Sequence, residues 1–394
     1  MITVAEAKKI IQEQVSSLPP VLLPLMQSAG LVLAADIFSM QDFPPFNQSS
    51  MDGYAFCFDS WKKNGTLPIE GIIAAGDRTN KAYTSEKAVR IFTGAPVPQG
   101  TDTVVMQEKV TVLNGLLTIE DQYLQSGANV RPMGAEIKVG ELALSALTIL
   151  SPGAIGFLTG IGITEVSVFP KPVVSIIVTG NELQQPGKPL QHGQVYESNS
   201  ASLIAALQQL HINNAQLFWA EDDLAVLQQT LQKAMEESDV ILLTGGISVG
   251  DYDFVLEAAA QCGVTKLFHR IKQRPGKPLY FGKKKNKLVI GLPGNPSSVL
   301  TCFYEYVLPA LQQLSSHSTG LKILEAPLSK SIDKAVGLTR FLKGHYNGDT
   351  VLPLGAQESY RLSSFAKANC LIQIDENSTH CEMGDKVSIH LLPE

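Results

Sequence analysis

Apolar and polar positions change their period twice along the chain. "VAEAKKIIQEQV" near the start places apolar residues at helical spacing, with Thr3 and Glu6 set as a capping box ahead of it. From about residue 42 to 141 short alternating runs broken by Gly and Pro take over, which predicts a largely β insertion in a smaller helix-containing unit. From about 171 to 318 the texture becomes regular. "PVVSIIVTG", "AQLFWA" and "DVILLTGG" read as strands, and "SNSASLIAALQQL" (with Ser198 or Ser200 near its cap), "DDLAVLQQTLQKAMEES" and "DYDFVLEAAAQCG" as helices. A hairpin at "KPLYFGKKKNKLVIGL" and a helix at "PSSVLTCFYEYVLPALQQL" follow. Such alternation with apolar strands predicts a mostly parallel sheet covered on both faces. From about 319 to 394 short strands with turns at "NGD", "DENS" and "MGD" predict a small β-barrel or sandwich. The chain is therefore expected to be α/β and multidomain, divided at 1–170, 171–318 and 319–394.

In such sheets ligands sit outside the carboxyl ends of the strands. That places "TGNEL", "TGGISVGDYD" and "GLPGNPSS" along one edge. In "LLTGGISVGDYDF" the glycines and Ser248 let backbone N–H groups approach a phosphate, and Asp251 and Asp253 suit a hydrated Mg2+. The same residues also suit an ordinary turn with Asp251 as helix cap. "RPGKP" holds Arg274 and Lys277 on either side of a stiff turn, as an oxyanion or pyrophosphate requires, although a solvated basic loop has the same composition. In "GLPGNPSS" Pro296 lies just inside a helix start and Asn295 is the natural N-cap. Turn and anion seat are evenly matched there. Asp52, Thr93, Arg131 and Glu136 lie in motifs that locally exceed no turn signal.

Composition narrows the class. In 394 residues, 44% hydrophobic and 17% charged, the balance is that of a well-packed globular protein, and the low charge suggests self-association. Net charge −6 and a pI near 5.7 give no reason to expect nucleic acid or acidic membrane as partner. Five scattered cysteines and seven dispersed histidines form no disulfide framework or zinc spacing. No signal pattern or membrane-length apolar run appears, so a cytoplasmic location is expected.

Nine segments in order, "PPFNQSSMDGYA", "TGAPVPQGTDTVV", "NVRPMGAEIKVGE", "VTGNEL", "ESNS", "LTGGISVGDYDF", "RPGKP", "GLPGNPSS" and "RLSSFAKANC", resemble the molybdopterin molybdenumtransferase family, to which the E domain of gephyrin belongs. The resemblance implies four domains, including a three-layer α/β molybdopterin-binding domain, a β-rich N-terminal insertion and a C-terminal β-barrel. It implies insertion of molybdate into adenylylated molybdopterin with Mg2+-dependent release of AMP, in a homodimer acting with a molybdopterin adenylyltransferase and other cofactor-pathway proteins. By match to family motifs, Asp52, Thr93, Glu182, Asp222 and Asp253 carry catalysis, with Asp222 and Asp253 toward the metal. Arg131, Glu136, Ser248, Arg274, Lys277, Pro278, Pro293, Pro296, Lys343 and Ser364 bind substrate, and Asp52 and Thr93 serve the partner's site. Lys343 and Ser364 are expected to complete a molybdate pocket with Arg274, Lys277 and Pro278. The chain departs from the common pattern at Asn181, Glu136, Arg274 and Lys343, and only Asn181 changes charge type. A non-catalytic molybdopterin-binding scaffold and a tungstate-using paralogue are the alternative readings.

Overall fold

The computed structural model describes residues 1–78, 81–247, 254–318 and 320–393. The chain forms two compact units, Leu22–Val168 and a larger one joining Met1–Val21 to Phe169–Glu394. The larger unit holds a six-stranded sheet in the order Gln216–Ala220, Val174–Thr179, Val240–Thr244, Lys287–Leu292, Tyr280–Lys284, Thr265–His269. The first four strands are parallel. The last two are antiparallel, because a tight hairpin returns the chain beside Lys287–Leu292. Thr265–His269 is a strand where the sequence pattern passes straight from helix to hairpin.

Alternate residues of the central strands feed two cores, as a doubly covered sheet requires. Ile176, Val178, Leu242 and Ile290 pack with Leu203, Leu207, Val299 and Leu311 on one face. Ile177, Ile241, Leu243 and Val289 pack with Leu227, Leu231 and Ala258 on the other. Each such aliphatic side chain, taken wholly from water, contributes about 1.5–3 kcal/mol.

The first helix, Val4–Gln14, carries the expected capping box: Thr3 Oγ1 accepts from Glu6 N–H at 3.2 Å, and Thr3 N–H donates to Glu6 Oε2 at 2.7 Å. Its stripe Val4, Ala7 and Ile11 belongs to the α/β core, not to the N-terminal region where sequence order places it. The reason is local. Ile2 bridges Ile271 in parallel, and Gln313 Nε2 donates to the carbonyls of Gln12 and Val15 at 2.8 and 2.7 Å.

The C-terminal strands Lys322–Pro327, Thr339–Tyr346, Val351–Pro353, Cys370–Ile374 and Lys386–Leu391 form one curled sheet. A bridge from Leu328 to Val351 brings its two ends together in barrel fashion. The short strand Gln273–Arg274 joins this sheet, pairing in parallel with Thr339–Arg340. The smaller unit is β-rich: a six-stranded sheet in the order Thr103–Met106, Gly53–Phe56, Ala88–Ile91, Thr66–Ile73, Leu116–Ile119, Val110–Leu113, with a separate core around Leu33, Leu150 and Leu158. No helix among the described residues is long and apolar enough to cross a membrane.

A buried ion cluster ties three elements of the larger unit. Glu305 accepts from His390 Nδ1 at 2.7 Å and from Lys8 Nζ at 2.5 Å, linking a π-helical turn, the last strand and the first helix. Burial pushes the Glu305 carboxyl up, but the bonds from His390 and Lys8 outweigh it and leave the group below its ordinary 4.5. A depressed folded-state value contributes stability above 4.5 that is lost as pH falls through the folded value. Glu305→Leu is expected to cost about 3 kcal/mol in urea unfolding at pH 7, since it strands the buried His390 and frees the half-exposed Lys8. That difference from wild type should shrink as the pH drops below 4.5.

Candidate active-site cleft

The sheet order reverses at Val174–Thr179: the chain crosses first to Gln216–Ala220 and then to Val240–Thr244 on the other side. Open α/β sheets place their ligand crevice at such a switch point. The segment leaving Val174–Thr179 carries Asn181 and Glu182, and Glu182 lines a cleft of about 1440 Å³ within the larger unit. The opposite walls are the turn Arg274–Pro278, the loop Pro293–Pro296 and the segment Ala356–Tyr360. Six residues proposed from sequence therefore share one cleft: Glu182, Arg274, Lys277, Pro278, Pro293 and Pro296.

Pro296 does begin a helix, Pro296–Cys302, and Asn295 does stand at its N-cap position. Its side chain makes no capping bond. Instead Asn295 Nδ2 donates to Ser359 Oγ at 3.0 Å, and Ser297 N–H donates to the Ser359 carbonyl at 3.0 Å. On the other side Asn199 Nδ2 donates to the Gly294 carbonyl at 2.8 Å. The loop is thus clamped between two walls of the cleft. Glu197, nearly buried, caps the helix Asn199–Gln209 by accepting from Ser200 N–H at 2.8 Å, so neither Ser198 nor Ser200 supplies the capping oxygen.

Asp222 Oδ2 accepts from Asn181 N–H at 3.1 Å and Asp222 N–H donates to Asn181 Oδ1 at 3.4 Å. Both donors are backbone N–H groups, so a carboxylate at 181 could make the same two bonds; the amide removes only the like charge that it would set beside Asp222. Ser248, Asp251 and Asp253 lie outside the described residues. Among the described residues no three His, Cys, Asp or Glu side chains cluster as metal ligands.

Lys343 and Ser364 differ from their expected place in an oxyanion pocket. Both are buried, neither lines the cleft, and both hold the segment that does. Lys343 Nζ donates to the carbonyls of Ala356, Glu358 and Arg361 at 2.9, 3.4 and 3.2 Å, and Ser364 Oγ donates to Ala356 O at 2.7 Å. Gln357 adds two bonds from its amide to the carbonyls of Lys343 and Leu354. The ammonium is satisfied by backbone oxygens, which is why it can lie under a loop.

Asp52 and Thr93 meet in the smaller unit. Asp52 Oδ1 accepts from the N–H and the hydroxyl of Thr93, each at 2.8 Å. These two bonds, aided by the charge of Arg90, hold its carboxyl below the usual range. Arg131 pairs with Gln48 on a two-stranded ribbon and Glu136 bonds Phe43 O through its backbone; both side chains are exposed.

Two contributors were not found from sequence. Arg340 lines the cleft and stands opposite Arg274 in the strand register, and burial followed by the charge of Arg274 lowers its pKa. Gln273 lies wholly buried under the Arg274–Lys277 turn. Pairing partners 66 residues apart leave no local pattern to read.

An α/β unit with cations and carboxylates around a crevice at its switch point defines a class of proteins that hold phosphate-bearing small molecules. The comparisons narrow this. Residues 2–162 match the MoeA N-terminal region (domain I and II), 175–313 a probable molybdopterin binding domain, and 325–392 the MoeA C-terminal region (domain IV). The molybdopterin molybdenumtransferase of Haemophilus influenzae is 35% identical over 382 residues, 94% of each chain. That of Staphylococcus aureus is 33% identical over 400 residues, 99% of this chain and 95% of the relative. The crystal structure of the molybdopterin biosynthesis MoeA protein from Pyrococcus horikoshii superposes with a TM-score of 0.86 at 29% identity, covering 99% of both chains. The chain belongs to the MoeA family of molybdopterin molybdenumtransferases, transferases of molybdenum-cofactor biosynthesis.

Burial lowers the Lys343 ammonium from 10.5 to about 8, with Glu358 raising it and Arg361 lowering it further. The unfolded chain then binds more protons than the folded one between those values, so this group's cost to stability is relieved as pH rises from about 8 to 10.5. Thermal melts of wild type and Lys343→Met should therefore diverge in favour of wild type as the pH is raised from 8 to 10. Parallel melting curves across that range would contradict the placement.

Proposed function

We propose that the cleft inserts molybdenum from molybdate into adenylylated molybdopterin and releases AMP. The observation that carries this reading is that Arg274, Lys277 and Glu182 line one cleft, with Pro278, Pro293 and Pro296 as rigid parts of its wall. A tetrahedral dianion suits two cations fixed by a stiff turn, Arg offering a planar fork and Lys a point charge. Proline walls carry no amide N–H, so they set the width of the cleft without competing for the ligand's oxygens. The loops at the switch point bind the pterin and phosphate portion.

The reaction consumes one water at the phosphoanhydride, and the oxo group displaced by the two dithiolene sulfurs leaves as water, carrying the two thiol protons. Asp222, anchored by Asn181, is a carboxylate suited to holding a hydrated Mg2+ together with Asp253 and phosphate oxygens, where the ion would neutralise developing charge. Glu182 accepts protons or orients water within the cleft. Asp52, held ionised by Thr93, lies in the smaller unit, and neither residue is among those lining the cleft of the larger one. With the resemblance of their motifs to the family, this fits a homodimer in which Asp52 and Thr93 serve the other protomer's cleft; a cytoplasmic place beside the adenylyltransferase that supplies the substrate accords with the biosynthetic family.

Purified protein incubated with adenylylated molybdopterin, molybdate and Mg2+ should release AMP in step with molybdenum uptake. Arg274→Ala and Lys277→Ala should each raise the KM for molybdate by about tenfold or more, the loss of a charge-assisted contact. A folded protein that binds the adenylylated substrate without releasing AMP would instead be the scaffold. Tungstate competing more strongly than molybdate would identify the paralogue.

A further inference from the structure

The cation turn rests on a buried polar framework that the reaction chemistry does not use. Gln273, fully buried, directs its amide N–H₂ to the carbonyls of Pro275 and Gly276 at 3.0 and 3.1 Å, with Cys302 Sγ at 3.5 Å. Two carbonyls fix which end of the amide faces the turn, so its oxygen faces away and must accept. The hydroxyl of Tyr306, also fully buried, donates to it. Burial raises the Tyr306 phenol well above 10, which keeps that donor protonated.

Backbone bonds complete the frame: Ile271 N–H to Lys277 O at 2.9 Å, and Thr339 N–H to Lys272 O at 3.0 Å. Gly276 has φ of +82°, and a Cβ there would lie 2.4 Å from Cys302 Sγ and 2.8 Å from Gln273 Nε2. The turn is therefore closed tightly over Gln273 and Cys302. Holding it is not free, because the register sets Arg274 directly opposite Arg340, and like charges so placed repel.

Resting on the oxyanion role proposed for Arg274 and Lys277, we infer that Gln273 and Tyr306 are positioning residues that fix the separation of these two cations and thereby govern affinity for the oxyanion. Gln273 meets the cleft only beneath the cation turn, its amide being taken by the Pro275 and Gly276 carbonyls and by Tyr306, and Tyr306 does not line the cleft. Tyr306→Phe keeps the ring and its packing while leaving Gln273 Oε1 without its donor. Gln273→Leu keeps the approximate volume and frees both turn carbonyls.

The test is equilibrium binding of molybdate alone by calorimetry, with steady-state AMP release measured on the same preparations. Tyr306→Phe should weaken molybdate binding and raise its KM about five- to tenfold, the loss of one buried hydrogen bond. Gln273→Leu should act in the same direction and more strongly. With molybdate saturating, kcat and the KM for adenylylated molybdopterin should stay within about twofold of wild type. Unchanged molybdate affinity in a folded Tyr306→Phe protein overturns the inference, as does an equal rise in both KM values. Failure of wild type to bind molybdate overturns it too. If wild type binds molybdate but releases no AMP, while Tyr306→Phe binds it more weakly, the proposed reaction fails and the positioning role stands.

Discussion

Two arginines placed opposite each other on paired strands set the terms for the rest of the cleft. Arg274 and Arg340 repel, and burial of Arg340 makes that repulsion less screened than it is at an open surface. A flexible loop would relax such a pair into solvent. The chain prevents this by making the turn rigid from beneath, with every polar end of Gln273 engaged and a glycine where no side chain fits. In the proposed reaction an anion would share this unfavourable charge, as in a preorganised electrostatic site.

The continuous helical run from Pro296 to Leu314 is the common support. Its first turn forms one wall of the cleft at Pro296 and Ser298. Cys302 and Tyr306 pass beneath the cation turn. At the π-helical turn the neighbouring residues Glu305 and Tyr306 serve different structures, the first joining His390 and Lys8 and the second joining Gln273. Wide turns of this kind are found mostly at functional sites. Here it allows one helix to brace the barrel, the first helix and the Arg274–Lys277 turn together.

The sheet, its two covered faces and the edge carrying the loops were legible because apolar runs and 3.6-residue periodicity are local signals. So were Arg274, Lys277 and Pro296, whose turn chemistry lies within a few residues. What escaped was set by distant pairing. Arg340 enters the cleft only through the register between strands separated by a hairpin, a helical run and two further strands. The family resemblance sets Lys343 beside an anion, yet its surroundings are three carbonyls that become neighbours only when the segment from 356 to 361 folds back. The capping residue at 295 was located correctly while its side chain was taken by Ser359. Nor does sequence order reveal that the first helix belongs to the α/β core.

That last placement has a consequence for synthesis of the chain. The helix Val4–Gln14 packs against residues 308–314, so its apolar stripe is made nearly 300 residues before the surface that covers it. At ribosomal rates of roughly 5–20 residues per second this is an interval of about 15–60 s. Between the two lies Leu22–Val168, a separate compact unit. The α/β unit is therefore assembled around an inserted neighbour, and Val4, Ala7 and Ile11 are the surface that chaperones or premature association meet in the meantime.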